Sequence, residues 1–187
     1  VDQLRIGLVG AGPWGRRVHA PGLAGHPRTE LAGVWTRRPE AARELVAEHG
    51  GEAFGSFEAL LDAVDAVAFA VPPQVQGELA PRAAAAGRHL VLDKPLADSL
   101  PAAEQVEAAV TTAGVCSTTM LTLRFDPAVR GWPAGLSGGP AGADTVGSAP
   151  WLSGALLGGP TRVPAGGPST APSWTPGRTS WTCSTPR

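Results

Sequence analysis

The sequence has no tyrosine, a single methionine and only two cysteines in 187 residues. Cys116 and Cys183 lack metal-ligand spacing and are too few for a disulfide framework, which fits a reducing, cytoplasmic setting. No metal site is expected. No apolar run approaches the roughly 20 residues that span a bilayer, so no membrane partner is expected either. The N-terminus runs directly into a strand-like pattern, and no signal peptide is read there. Neither sign of charge is in excess. The net charge is -1, which argues against a general electrostatic nucleic-acid binder. What is abundant is Ala, Gly, Pro and Arg, the bias of a GC-rich gene. Apolar residues make up 43%, enough for a core, and the length suits one ordinary domain plus part of another.

Along the chain, short apolar runs alternate with helical segments. Leu4 to Val9 ("LRIGLV") stops at glycines and reads as a buried parallel strand. Trp14 to Leu23 reads as a short helix, and Leu31 to Trp35 as a second strand. Pro39 to His49 is a helix with Pro in its first turn and Gly50-Gly51 as its stop. Ser56 caps a short helix through Asp62, with Glu58 near its positive end. Ala66 to Val71 is a third strand, Gln74 to Ala86 an Ala-rich helix, and His89 to Leu92 a fourth strand. Ser99 to Ala113 is helical, and Val115 to Leu123 is a strand. Strands alternating with helices predict a parallel sheet covered on both faces, a doubly wound α/β fold of the Rossmann class, over residues 1–123. Beyond it, a helix from Asp126 to Leu136 and a strand from Asp144 to Leu152 would begin a second, α+β domain over 124–157. From 158 to 187 the pattern gives way to Gly, Pro, Ser and Thr, the composition of a disordered tail.

The first strand opens into "GLVGAGPWG". Gly10, Gly12 and Gly15 satisfy G-x-G-x-x-G directly after a strand and at the start of a helix, the context in which that motif signals a dinucleotide. Gly10 would permit the tight turn, Gly12 close approach of a pyrophosphate, and Gly15 close packing of helix on strand. Ala11 and Pro13 complete the loop, Pro13 giving shape without an N–H. The amides of Trp14 and Gly15 would face the phosphate charge. A plain glycine-rich turn is the competing reading. The second strand ends in Thr36, Arg37 and Arg38, where a NAD site has Asp or Glu on the ribose 2′-OH. Arginine there can hold a 2′-phosphate in a charge-assisted fork, so NADP is favoured, with NAD as the alternative.

The fourth strand runs into "HLVLDKPLA". With the glycine loop, "AVPPQVQGELA" and "LRFDPAVR", this combination resembles the Gfo/Idh/MocA family of NAD(P)-dependent oxidoreductases. The resemblance covers residues 4 to about 157. It implies an N-terminal Rossmann domain and hydride transfer between the nicotinamide and a secondary alcohol of the sugar or polyol class. The family's Glu-Lys-Pro signature stands here as Asp93-Lys94-Pro95. By similarity Asp93 and Lys94 would lie at the cofactor. Lys94 would be the catalytic residue, hydrogen-bonding the substrate oxygen and helping proton movement. Val71, Pro72 and Pro73 match the loop that lines the nicotinamide in the family. Gln76 stands where many members have His and receives no role. His19 reads equally as a ligand-facing or a packed helix histidine.

The family continues with a second domain carrying Asp and His in a pattern like Gly-x-Leu-x-Asp-x-Gly-x-His-x-x-Asp. No such segment is written here. Read one base out of step, however, Trp174-Thr175 and Trp181-Thr182 must each give GAC, which encodes Asp. Thr179 gives His if the Arg178 codon ends in C. A frameshift near residues 158 to 162 would therefore account for the missing motif. As written, the chain would bind a dinucleotide with weak or absent catalysis, and oligomer contacts would be lost. A non-enzymatic dinucleotide-binding module and a non-functional product are the alternatives.

Overall fold

The computed structural model describes residues 3–131. Six parallel strands form one sheet in the order β3-β2-β1-β4-β5-β6. They are β1 (Leu4–Val9), β2 (Thr29–Trp35), β3 (Glu52–Ala53), β4 (Ala66–Phe69), β5 (His89–Leu92) and β6 (Ser117–Thr119). Residues 6–9 of β1 and all of β4 are apolar and buried in continuous runs, as strands covered by helices on both faces must be. The chain winds outward from β1 to β3, then returns to β4 on the other side of β1. The order of winding thus reverses between β1 and β4, the place where open α/β sheets leave a crevice at their carboxyl edge.

The helices are closed by local chemistry. A π-helical turn, Gly15–His19, leads into α1 (Ala20–Gly25). α2 (Pro39–His49) carries Pro in its first turn and ends on Gly50 at φ 86. α3 (Phe57–Asp62) is capped by Ser56 Oγ, which accepts from the Ala59 N–H at 3.1 Å. A cap of this kind contributes about 1 kcal/mol. α4 (Pro73–Ala85) is followed by α5 (Leu100–Ala113), which Ser99 caps through the Ala102 N–H. One face of the sheet buries Phe57, Leu60, Phe69, Leu79, Leu90 and Val106, and the other Ile6, Leu8, Leu31, Val34 and Leu45.

The doubly wound parallel sheet is as expected, with local differences. β2 starts two residues early, at Thr29, where it still pairs with Leu4. β3 had no signature of its own, because two residues carry no periodicity; it is held by pairing with Gly33 and Val34. β4 stops at Phe69 rather than Val71, and α4 begins at Pro73 rather than Gln74. The strand expected from Val115 to Leu123 is only Ser117–Thr119, because its partner β5 offers only Leu90 to Leu92. A 3-10 turn, Thr122–Phe125, replaces its end. Residues 127–131 are helical, with Asp126 accepting from the N–H groups of Ala128 and Val129. The rest of that helix, the strand expected at Asp144 to Leu152, and the tail from 158 lie outside the described residues. No described helix is long and apolar enough to cross a membrane.

Candidate functional site

Strand register sets the site. Val9 pairs with Trp35 on one side and Phe69 on the other, so residues 10, 36 and 70 emerge level at the carboxyl edge. Gly10 donates to the Trp35 carbonyl at 2.9 Å, and Ala70 donates to the Val9 carbonyl at 2.8 Å. Gly10 has φ 104, and a Cβ there would run into the Ala70 carbonyl oxygen, so the turn requires glycine on both counts. A Cβ on Gly15 would lie 2.7 Å from the Gly10 carbonyl oxygen. A Cβ on Gly12 would meet no protein atom within 4 Å: the middle glycine faces open space.

That space is a cleft of about 370 Å3 lined by the glycine loop, the end of β2 and the loop after β4. It brings together Gly10, Ala11, Gly12, Thr36, Arg37, Arg38, Val71 and Pro72. Val9, Trp35, Ala70 and Val75 add an apolar lining that the sequence reading did not single out. The tilted pair Trp35–Phe57, with ring centroids 5.4 Å apart, supports Trp35 from the core. A second concavity holds Pro13, Arg16, Arg17, Glu40 and Glu44, and shares Ala11, Gly12 and Arg38 with the first. Arg16 is bound by Glu44 at 3.0 Å and by Glu48. Arg17, Arg37 and Arg38 form no ion pair among the described residues. Their charge is available to an anion.

The other expected residues do not line this cleft. Trp14 is half exposed, Gly15 is buried against the Gly10 turn, and Pro73 starts α4. Asp93 and Lys94 sit on the turn after β5, at the same edge of the sheet beyond β4. Asp93 Oδ1 accepts from the Lys94 N–H at 2.8 Å, and the Lys94 side of the turn is exposed.

Two polar side chains outside the cleft lining are buried. His19, left open between two readings, is buried, and its Nε2 has no hydrogen-bond partner among the described residues. Burial holds its pKa below the usual histidine value, partly offset by the negative charge of Asp93. Gln76, assigned no role from sequence, is fully buried and bonds the turn after β5. A signal for it existed. Gln76, Leu79, Ala80, Ala83 and Ala84 share the buried stripe of α4 at helical spacing, so the glutamine occupies a core position.

Residues 4–120 match the GFO_IDH_MocA family, described as an oxidoreductase family with an NAD-binding Rossmann fold. Among curated relatives, a 4-carboxy-2-hydroxymuconate-6-semialdehyde dehydrogenase of Sphingobium sp. is 36% identical over 66% of this chain and 40% of its own length. A dTDP-3,4-didehydro-2,6-dideoxy-alpha-D-glucose 3-reductase of Actinomadura kijaniata is 33% identical over 61% of this chain and 35% of its own. The chain thus spans well under half the length of these relatives. Among solved structures, the 3-ketoreductase KijD10 of Actinomadura kijaniata, in complex with TDP-benzene and NADP, superposes with a TM-score of 0.67 at 30% identity. That match covers 73% of this chain and 44% of the other. GenD2 from gentamicin A biosynthesis, in complex with NAD, gives 0.64 at 30% identity over 68% and 37%.

Proposed function

Since the chain belongs to the oxidoreductase family with the NAD-binding Rossmann fold, we propose that its cleft binds NADP in preference to NAD. The observation that carries this reading is the juxtaposition in one cleft of an open-faced Gly12 with Arg37 and Arg38, neither of which forms an ion pair among the described residues. The glycine loop would take the pyrophosphate at backbone N–H groups. Arg37 or Arg38 would hold the 2′-phosphate, and Val71, Pro72 and Pro73 would bound the nicotinamide end. Thr36 and Ala11 complete the wall. A bound nicotinamide gives or accepts a hydride. Lys94 would hold the substrate oxygen and move its proton, with Asp93 shaping the turn that carries it. In the whole protein, the substrate would be a secondary alcohol, or its ketone, on a sugar- or polyol-like molecule. The relatives named for sugar and sugar-nucleotide chemistry support that class.

Calorimetric titration of the full chain with NADP and NAD tests the cofactor. NADP should bind at least about tenfold more tightly, a difference of about 1.4 kcal/mol. Replacing both Arg37 and Arg38 by Ala should erase that preference. Equal affinities in the native chain would reject the NADP reading, and no binding of either would reject the site.

The same reading ends the dinucleotide-binding domain near residue 123 and begins the substrate-binding part after it. We further propose that residues from about 158 onward are read out of frame. The support is the spacing of the two obligatory Asp codons around a permitted His, which matches the family's catalytic segment. Resequencing the gene tests this. Codons that cannot give the motif in the shifted frame reject it, whereas a confirmed shift predicts little turnover on a polyol panel and recovery in a frame-restored chain.

A further inference from the structure

A turn that leaves a buried strand must satisfy its backbone polar groups without a ladder to join. The turn after β5, Asp93 to Leu96, does so largely through a single side chain from another element. Gln76 Oε1 accepts from the Asp93 N–H at 2.8 Å. Gln76 Nε2 donates to the carbonyls of Asp93 and Leu96, both at 2.8 Å, with a longer approach of 3.4 Å to that of Pro95. Pro95 has no N–H to satisfy, and the Lys94 N–H goes to Asp93 Oδ1. The amide is fully buried, so water does not substitute for it. The next residue reinforces the contact: a Cβ on Gly77 would lie 3.0 Å from the Ala97 Cβ, so the start of α4 sits close against this segment.

Gln76 lies in the first turn of α4, three residues after Pro73 of the Val71-Pro72-Pro73 segment. It therefore ties the loop that lines the cleft after β4 to the turn that carries Lys94. We infer that Gln76 is a positioning residue: it fixes the Lys94 amine relative to the nicotinamide end of the cleft, an inference that rests on the proposed dinucleotide site. The chemistry explains the residue type. The site needs a neutral group that donates and accepts at once. Leucine can do neither, and a carboxylate would set negative charge against the carbonyls. Histidine keeps one donor and one acceptor, so it can replace part of what the amide supplies.

Lys94 is the only lysine in the chain, so it can be watched alone. Lysine labelled with 15N gives one backbone amide signal. Reductive 13C-methylation gives one side-chain signal, separate from that of the terminal amine. In the full chain, saturating NADP should move the methylated Lys94 signal, whereas adenosine 2′,5′-bisphosphate, which lacks the nicotinamide half, should not. Gln76→Leu should keep its affinity for the bisphosphate within about twofold, bind NADP about tenfold more weakly, and lose the Lys94 shift; Gln76→His should restore both. A general loss of structure would weaken both ligands together. A wild-type Lys94 shift and wild-type NADP affinity in Gln76→Leu would overturn the inference. If that variant does not fold, Gln76→Asn, one methylene too short to reach, must show the same selective loss, and wild-type behaviour there overturns it equally. A native chain that binds neither ligand rejects the dinucleotide site instead. The ligand-free readout then decides on Gln76. Exchange of the single Lys94 amide must quicken in the Leu or Asn variant, and unchanged exchange counts against the inference.

Discussion

The turn after β1 is held in shape by side chains it does not have, whereas the turn after β5 is held by a side chain that another element supplies. Gly10 must be glycine because its φ is 104 and the Ala70 carbonyl occupies the place of a Cβ. The second turn has no glycine from Asp93 to Leu96, and its carbonyls converge on the Gln76 amide. The first arrangement is local and written in consecutive residues. The second joins residues 17 to 20 apart in sequence. Both shape the same carboxyl edge, but only the first could be read before the fold was known.

The sharpest way to break the comparison lies within the first turn. Gly10→Ala should cost about 3 kcal/mol, from the backbone conformation and the collision together. Gly12→Ala, two residues on, should change stability by no more than about 0.5 kcal/mol, because its new methyl meets no protein atom. Urea denaturation of the two variants measures the contrast. Similar midpoints would mean that the glycines are not divided between shaping the turn and opening it to a ligand.

In the second turn the division falls between the support and the tip. Gln76→Leu leaves a buried N–H and two close carbonyls without partners and should cost about 2 kcal/mol. Lys94→Ala removes an exposed side chain and should stay within about 0.5 kcal/mol of the native chain. The same denaturation experiment reads both. A destabilised Lys94→Ala would show that the tip itself holds the turn.

This division accounts for what was legible. The parallel sheet could be read because apolar runs alternate with capped helices. Pro39 and Gly50 bracket α2, and Ser56 caps α3 as its position implies, while Ser99, read as the first helical residue, is the cap of α5. The glycine loop could be read because its chemistry is local. β3 could not, since two residues gain their strand character only from a neighbour. Nor could the short β6, whose length is set by β5. The apolar wall of Val9, Trp35, Ala70 and Val75 was hidden because Val, Trp and Ala at strand ends are equally core residues until the register aligns those ends. Gln76 was hidden for a related reason. Its core position on α4 could be read from spacing, but the carbonyls that make it necessary lie across a chain crossover.

His19 gives the smallest effect. It ends the π-helical turn that follows the glycine loop, and it feels the charge of Asp93 on the turn after β5. Burial favours its neutral form, so its pKa in the folded chain is lower than in the unfolded chain. Below the ordinary value near 6.5 the unfolded chain then binds a proton that the folded chain does not. The stability owed to neutral His19 is complete above that value and falls as the pH drops toward the lower, folded-state pKa. The slope cannot exceed one proton, about 1.4 kcal/mol per pH unit. Below the folded-state pKa the contribution levels off. His19→Leu should flatten the stability profile within that window and leave it unchanged above, as read by urea midpoints across a pH series. An unchanged profile in His19→Leu would mean that the negative charge of Asp93 offsets burial completely.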